Sequence, residues 1–372
     1  MNGDSTGMDK VFFMDLRAEP GSSLENKFNR LLAKCAMETV VGKNEIVGVK
    51  VHVGENGNLA YINHNYARLV AQEIKRCGGK PFLTDTNTLY SGGRHNAFDH
   101  HETAMRHGYF SGTTGAPFIV ADGLRGLDYE ELPVQGAHFH KVKIGSAVCQ
   151  AGALCVLSHF KGHCEMGFGG AIKNLGMGCA AVPGKLELHS SSQPLQKIEN
   201  CVACGQCVRR CPVNAIAMKD KKAIIDYSIC IGCGQCVAAC SYGAMNVKWE
   251  SHGETLLEKV AEYAFALYSR FKGKARYINF ALTIAPDCDC WDYNDAPIVQ
   301  DVGIFASANP LALDRATLDL VAKSPALENS AYAQPQSGRN LFDALRGTKS
   351  EYIFEYCKKL GMNDEYELER VR

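Results

Sequence analysis

The sequence predicts an α/β domain, with a parallel or mixed sheet and flanking helices, into which a small cysteine-rich domain is inserted. Apolar, β-branched runs alternate with amphipathic segments before residue 190 and again after residue 250, which is typical of α/β sheets. The block between them carries eight of the 17 cysteines. We expect the first part of the host at 10–192, the insert at 193–248, and the second part of the host with a helical tail at 249–372. Two independent α/β domains are the alternative arrangement.

The host elements follow from the spacing of apolar residues along the chain. Before the insert, we expect helices at 24–39, 65–77 and 97–107, and strands at 46–53, 81–84, 118–121 and 148–157. After it, we expect helices at 254–270 and 310–321, strands at 277–285 and 301–305, and a charged helical tail at 337–372. Ligand sites in such sheets form from the loops at the carboxyl ends of the strands.

Charge and hydropathy exclude several classes of function. Lys+Arg and Asp+Glu both number 40, so the formal net charge is zero, and we expect no nucleic-acid or membrane partner. There is no run of 18 apolar residues that could span a bilayer. The polar N-terminus lacks the apolar core of a secretory signal, which predicts a cytoplasmic protein. In that reducing compartment, cysteines are expected to bind metal rather than to form disulfides.

The insert contains two runs with the spacing C-x2-C-x2-C-x3-C. This is the spacing of bacterial ferredoxins with two clusters, in which the fourth cysteine of each run binds the other cluster. It predicts an α+β, ferredoxin-like domain with two [4Fe-4S] clusters. Cluster I would be bound by Cys201, Cys204, Cys207 and Cys240, and cluster II by Cys230, Cys233, Cys236 and Cys211. Structural zinc sites are the alternative, but they do not use two such runs in tandem.

Polar residues in the host follow predicted strand ends and form a candidate cleft. Histidine and lysine side chains suit proton transfer and the binding of anions, and glycine permits close approach of the backbone to a ligand. The catalytic candidates are His159, Lys161 and His163. The candidate ligand-binding residues are Lys50, His52, Asp85, Gly169, Gly170, Lys173 and Asn174.

Cys288 and Cys290 follow another predicted strand. Two thiols separated by one residue bind a soft metal or form a redox pair. An extra metal ion held with His159 and His163 is one alternative, and a small anionic ligand in the cleft is another. No dinucleotide fingerprint is present, and a flavin is left open because flavin sites often lack a motif.

Several segments together resemble one family. They are 82–90 (FLTDTNTLY), 158–163 (SHFKGH), 167–178 (GFGGAIKNLGMG), 288–290 (CDC) and 304–314 (IFASANPLALD). With the cysteine-rich insert, over roughly 11–330, the sequence resembles the iron–sulfur form of domain of unknown function family 362. The resemblance implies the α/β host, the inserted two-cluster module and the iron–sulfur cofactor, but no substrate.

The leading functional hypothesis is an oxidoreductase that receives electrons from a redox partner protein and passes them to a small-molecule substrate in the host cleft. A histidine would supply protons. The alternative is a non-catalytic electron carrier or maturation factor that docks to another redox enzyme. An enzyme needs an enclosed pocket close to a cluster, whereas a carrier needs an exposed patch there. The sequence leaves the oligomeric state open.

Overall fold

The structure is a computed structural model that describes residues 8–90, 92–189, 193–230, 232, 234–247, 253–331 and 339–372. In chain order, strands β1–β16 are Asp9–Met14, Ile46–Val51, Lys80–Asp85, Phe118–Val120, Tyr129–Pro133, Lys141–Gly145, Ala153–His159, Lys161–His163, Gly167–Gly169, Pro194–Gln196, Ile216–Lys219, Lys222–Ile225, Met245–Val247, Ala275–Ala281, Gly303–Ser307 and Tyr366–Arg370. Helices α1–α13 are Leu24–Lys34, His64–Arg76, Ala97–Arg106, Ser111–Thr114, Ser146–Cys149, Ala171–Gly176, Val182–His189, Gln206–Arg210, Gln235–Ala238, Gly253–Arg270, Pro310–Val321, Leu341–Arg346 and Tyr352–Lys359. Short 3₁₀ turns occupy Met37–Thr39 and Ile198–Asn200.

An eight-stranded sheet organises the host, in the order β16-β1-β15-β14-β7-β2-β3-β4. The strands from β14 to β4 are parallel, whereas β15 runs antiparallel to both of its neighbours, β1 and β14. The predicted α/β class with a mixed sheet is confirmed. Within the described residues, no helix is both long and apolar enough to cross a bilayer.

Helices cover both faces of this sheet. Successive side chains of β7 point to opposite faces. Leu154 and Val156 pack in a core with residues of α6, α10, α11 and α13. Cys155 and Leu157 pack in a second core with residues of α1 and α2. Every residue of β7 is therefore buried, which explains its nearly continuous apolar sequence.

Two element predictions differ from the structure. The predicted strand at 148–157 is a helical turn, α5, followed by β7, which begins only at Ala153. The tail is helical up to Lys359, but it ends in β16, which pairs in parallel with β1. β16 lies at the sheet edge, where its sequence YELER keeps charged side chains in contact with water. Tyr366 and Leu368 alternate with the two glutamates and pack against the core, so the alternation of a half-buried strand is present but covers only five residues.

The cysteine-rich segment is built from small elements. β10 pairs with β13, and β11 pairs with β12, both antiparallel. The short helices α8 and α9 begin after Gly205 and Gly234, which have left-handed backbones at φ 69° and 71°. The predicted domain boundaries fall beside residues 190–192 and 248–252, which lie outside the described residues.

Asp314 on α11 fixes the start of α6. Its carboxylate accepts hydrogen bonds from the backbone N–H groups of Ala171 and Ile172, at 2.7 and 2.9 Å, and from the Asn279 amide at 2.7 Å. Burial raises the pKa of Asp314 to about 6. A Cβ on Gly170 would lie 2.3 Å from the Asp314 carboxylate, so only glycine allows this approach. α6 carries Lys173 and Asn174 to the carboxyl end of the sheet.

Replacing Asp314 with alanine should therefore destabilise the fold. The change leaves three buried N–H donors without an acceptor, which costs roughly 2–4 kcal/mol of the free energy of unfolding. Urea unfolding of the wild type, Asp314→Ala and the exposed control Asp295→Ala measures this directly. A loss in Asp314→Ala no larger than that in the control would contradict the anchoring role.

Candidate functional site

A cavity of about 830 Å³ lies at the carboxyl ends of β2, β3 and β7. The structure brings most of the sequence-predicted host residues to its wall. Those that line it are His52, Asp85, His159, Lys161, His163, Gly170, Lys173, Asn174 and Cys290. Lys50, Gly169 and Cys288 lie directly behind this wall, each within contact distance of a lining side chain.

A buried ion pair joins β2 to β3 under the cavity. Lys50 Nζ lies 2.9 Å from Asp85 Oδ1 and also donates to Asn174 Oδ1 at 2.7 Å. The Asn174 amide donates in turn to the Leu157 carbonyl at 2.8 Å and to Ser158 Oγ at 3.1 Å. Burial raises the pKa of Asp85, but Lys50 and other nearby cations outweigh it and hold the pKa below its usual value. These residues form the rigid floor of the site.

Arg94 extends this network, and the sequence analysis did not select it. Its guanidinium lies 3.3 Å from the Glu55 carboxylate and 3.7 Å from that of Asp85, and it is almost fully buried. It also donates to the Tyr90 hydroxyl at 2.6 Å, which donates to the Cys290 carbonyl at 3.1 Å. Its position in the polar loop after β3 could have identified it, because ligand sites in this fold form from such loops.

Lys185 is a second cation that sequence reasoning missed. It lies on α7, lines the cavity, and donates to the carbonyls of Asn87 and Ala180 at 2.6 and 2.9 Å and to the Thr86 hydroxyl. Burial lowers the pKa of Lys185 to about 8. Its three acceptors tie α7 to the loop after β3.

The two candidate histidines have different surroundings. His159 Nδ1 lies 2.8 Å from the Asp289 carboxylate and Nε2 lies 2.7 Å from the Leu282 carbonyl. Both ring nitrogens thus face acceptors, so His159 is suited to holding Asp289 in place. His163 Nδ1 instead accepts from the backbone N–H groups of Glu165 and Met166, at 3.2 and 3.1 Å. Burial lowers the pKa of His163 well below its usual value, so the neutral ring carries its proton on Nε2.

Cys288 and Cys290 form a pair next to His163. One ring nitrogen of His163 and the two sulfurs all lie within 4.8 Å of one another. A hydrogen bond from Cys290 lowers the pKa of Cys288, helped by Lys173, whose Nζ lies 3.5 Å from the sulfur. The same hydrogen bond raises the pKa of Cys290. The geometry therefore favours a thiolate on Cys288 that accepts from a thiol on Cys290.

A soft metal ion is the other occupant that these three side chains could hold, since two thiolates and an imidazole suit zinc. However, the Nδ1 lone pair of His163 already accepts two backbone N–H groups. The remaining nitrogen carries the proton in the neutral ring, which makes it a donor. A metal would have to displace either that proton or both backbone bonds.

The cysteine runs converge at two places. Cys201, Cys204, Cys207 and Cys240 line one small cavity, and Cys211, Cys230 and Cys236 line a second. Cys233 lies outside the described residues. Backbone N–H groups approach several sulfurs: Ala215 lies 3.1 Å from Cys211, and Ala223 lies 3.4 Å from Cys201. The described cysteines thus fall into the two groups that their spacing predicts.

Helix α7 separates the cysteines from the host cavity. Val182 and Leu186 pack in one hydrophobic cluster with cysteines of both groups. Lys185 and His189, on the same helix, line the host cavity. The two regions therefore share a wall that is one helix thick. The sequence analysis assigned no helix at this position.

His100, which lies on α3 behind Asp85, makes this part of the protein sensitive to acid. Burial lowers the pKa of His100 to about 3, although Asp85 opposes the shift. The unfolded chain has a histidine pKa near 6.5. The folded state therefore binds fewer protons than the unfolded state between these values, and stability is lost as the pH falls through 6.5.

The wild type should lose about 1.4 kcal/mol of its free energy of unfolding through His100 alone between pH 7.5 and 5.5. Urea unfolding at the two pH values measures the loss, and His100→Gln should show a loss smaller by that amount. The exposed control His140→Gln should behave as the wild type. An unchanged pH dependence in His100→Gln would show that His100 does not stay neutral in the fold.

Comparisons with known proteins identify the family and a short segment similar to a ferredoxin-type protein. A family model described as "Domain of unknown function (DUF362)" matches residues 47–319. "Ferredoxin-type protein NapF" of Haemophilus influenzae is 48% identical over 42 residues, which are 11% of this chain and 24% of that protein. The chain thus spans about a quarter of the length of this curated relative.

Two solved structures share a low level of similarity with this one. The lactate racemase apoprotein from Thermoanaerobacterium thermosaccharolyticum is 13% identical, with a TM-score of 0.38, over 76% of this chain and 52% of that one. A protein from Thermotoga maritima is 10% identical, with a TM-score of 0.36, over 69% of this chain and 50% of that one. The chain spans about half the length of each.

Proposed function

The chain belongs to the DUF362 family, and we propose that it is an iron–sulfur oxidoreductase that binds two [4Fe-4S] clusters and transforms a small anionic ligand in the host cavity. We propose the segment 193–248 as a ferredoxin-like insert between host parts 10–192 and 249–372. The part-length likeness to a ferredoxin-type protein supports this proposal.

Cluster I is assigned to Cys201, Cys204, Cys207 and Cys240, and cluster II to Cys230, Cys233, Cys236 and Cys211. The convergence of the described thiols supports the assignment. The N–H groups directed at sulfur also suit thiolates bound to iron. When bound, the clusters would supply electrons one at a time.

The observation that carries the proposal is the shared wall, α7. Leu186 packs among cysteines of both groups, while Lys185 of the same helix lines the cavity. Leu89 belongs to both regions: it packs in the cysteine-rich cluster and also lines the cavity. A ligand in the cavity would therefore lie close enough to the cysteines for electron transfer without leaving the host.

The cavity also offers proton-bearing groups. We propose that His163 donates a hydrogen bond from its Nε2–H group to the ligand, because its neutral ring carries that proton and it lines the cavity. His159 is a positioning residue that acts through Asp289. We propose Cys288 and Cys290 as a redox pair rather than a metal site. Oxidation of a thiolate and a thiol to a disulfide releases two electrons and one proton, so the pair can hold reducing equivalents.

Apolar side chains exposed around the cysteine-rich segment favour docking of a redox partner protein. They include Ile198, Val202, Tyr227, Ile229 and Tyr242, each at least 42% exposed. The same patch would serve the second candidate function, an electron carrier or maturation factor that docks to another enzyme. Turnover of a cavity ligand distinguishes the two. We further propose that the protein works in the cytoplasm.

The test uses holoprotein purified and reduced without oxygen. It is mixed with small carboxylates and phosphate esters that carry a reducible carbonyl or carbon–carbon double bond. We expect at least one compound to reoxidise the protein, followed through the visible absorption of the clusters. His163→Ala removes this hydrogen-bond donor and should slow the reaction by about 10²–10³-fold with unchanged iron content.

The matched control, the exposed His140→Ala, should react at the wild-type rate. Reoxidation that is equally fast in His163→Ala would contradict the role of His163 as a hydrogen-bond donor to the ligand. If no compound reoxidises the protein while a redox protein does, the carrier function replaces the proposed one.

A further inference from the structure

The cationic side chains of the host cavity differ in whether other residues of the protein accept their hydrogen bonds or balance their charge. Lys50 is paired with Asp85 and Asn174, and Arg94 with Glu55. Lys185, as described above, donates to three oxygens. These three cations have protein partners and need no ligand.

Lys161 is the exception. It lies on β8, is only 5% exposed, and lines the cavity. Within the described part of the chain, its Nζ donates no hydrogen bond and has no carboxylate within 4.0 Å. Its Nζ is accessible to the cavity, where it meets water or a ligand. A ligand of opposite charge would complete its hydrogen bonding.

Lys173 lies beside Lys161 and faces the same cavity. Its contact is with the Cys288 sulfur, at 3.5 Å, and not with a carboxylate. A Cβ on Gly169 would lie 3.3 Å from Lys161 Nζ and 3.1 Å from Lys173 Cδ. The two lysines thus flank one point on the cavity wall, where the absence of a side chain on Gly169 leaves room.

Three acidic residues near Lys161 have other partners, although Lys161 also helps to lower the pKa of Asp289. Asp85 and Glu55 are already paired with Lys50 and Arg94. Asp289 accepts from His159. An oxyanion of a ligand is therefore the group that best satisfies Lys161.

We propose that Lys161 and Lys173 form a subsite for an oxyanion, so that the ligand of the cavity carries a carboxylate or phosphate group. The inference rests on the proposed function and deepens it by assigning these two residues to the anionic end of the ligand. That end would lie next to Cys288 and Cys290, which places the rest of the ligand towards α7. A hydrogen bond from an ammonium group to an oxyanion is charge-assisted and therefore strong.

The experiment measures thermal unfolding of the anaerobic holoprotein with inorganic phosphate or succinate, at ionic strength matched with sodium chloride. A saturable rise in melting temperature with either anion supports the subsite, and the anion that gives it identifies phosphate or carboxylate as the group. Lys161→Met should weaken this binding by at least about tenfold. If neither anion raises the melting temperature of the wild type above the sodium chloride control, the inference is overturned.

Stability without added anion provides an independent check. Lys161→Met should melt at the wild-type temperature or higher, because it removes an unpaired buried charge. Lys50→Met should melt much lower, because it leaves Asp85 without its counter-ion. The exposed control Lys141→Met should retain both the wild-type melting temperature and the response to anions. A fall in Lys161→Met as large as that in Lys50→Met would show that Lys161 is structural and would overturn the inference.

Gly169→Ala is a second variant that keeps both charges and narrows the space between them. It should weaken anion binding, and binding at wild-type strength would contradict the position of the subsite. Iron content and cluster reduction, measured on the same samples, do not depend on the anion. Absence of anion binding in the wild type, with normal clusters, would therefore overturn the subsite and leave the proposed function standing.

Discussion

The buried ion pair between Lys50 and Asp85 holds together the elements that form the host cavity. It links β2 to β3, and through Asn174 it also links both strands to α6 and to the end of β7. A charge pair without access to water is costly unless every remaining donor and acceptor is satisfied. Asn174 accepts from Lys50 Nζ, and Asp85 Oδ1 accepts from the Thr86 N–H group at 2.9 Å. Asp85 Oδ2 has no hydrogen bond among the described residues and lies 3.7 Å from the Arg94 guanidinium. Charge pairs and hydrogen bonds thus hold the floor of the cavity together.

This floor stabilises the cavity, so that the protein tolerates other charged groups there that have few hydrogen-bond partners. Lys161 Nζ has no hydrogen bond among the described residues, and the Cys288 sulfur contacts Lys173. Buried polar groups that the fold leaves incompletely paired lower stability and tend to occur at functional sites. The cavity thus has a floor of paired charges and a wall whose polar groups a ligand would bind.

Much of this arrangement follows from the sequence. The β-branched run of β2 and the polar residues after β3 and β7 predict a cluster at the carboxyl ends of parallel strands, and the structure brings these residues together. The spacing of the cysteines likewise predicts how they group. Both inferences depend on local patterns, which are visible in a single chain.

Other features depend on tertiary contacts and could not be read in this way. Helix α7 contains Gly184, whose intrinsic preference opposes a helix, whereas Pro183 lies in the first turn, where proline is tolerated. The helix is largely buried between the host and the cysteines. A Cβ on Gly184 would lie 2.7 Å from the Lys143 carbonyl, so glycine is required by packing. Because the sequence did not predict α7, it also did not indicate that Lys185 faces the cavity. Lys161 was selected for its charge, but only the structure reveals that it has no partner among the described residues.

The proposed function depends on iron–sulfur clusters that lie across one helix from the cavity. The iron and acid-labile sulfide content of protein purified without oxygen shows whether these clusters are present. We expect about eight iron and eight sulfide per chain, as two [4Fe-4S] clusters require. Stoichiometric zinc without sulfide, or an iron content near zero in protein that remains folded, would contradict it.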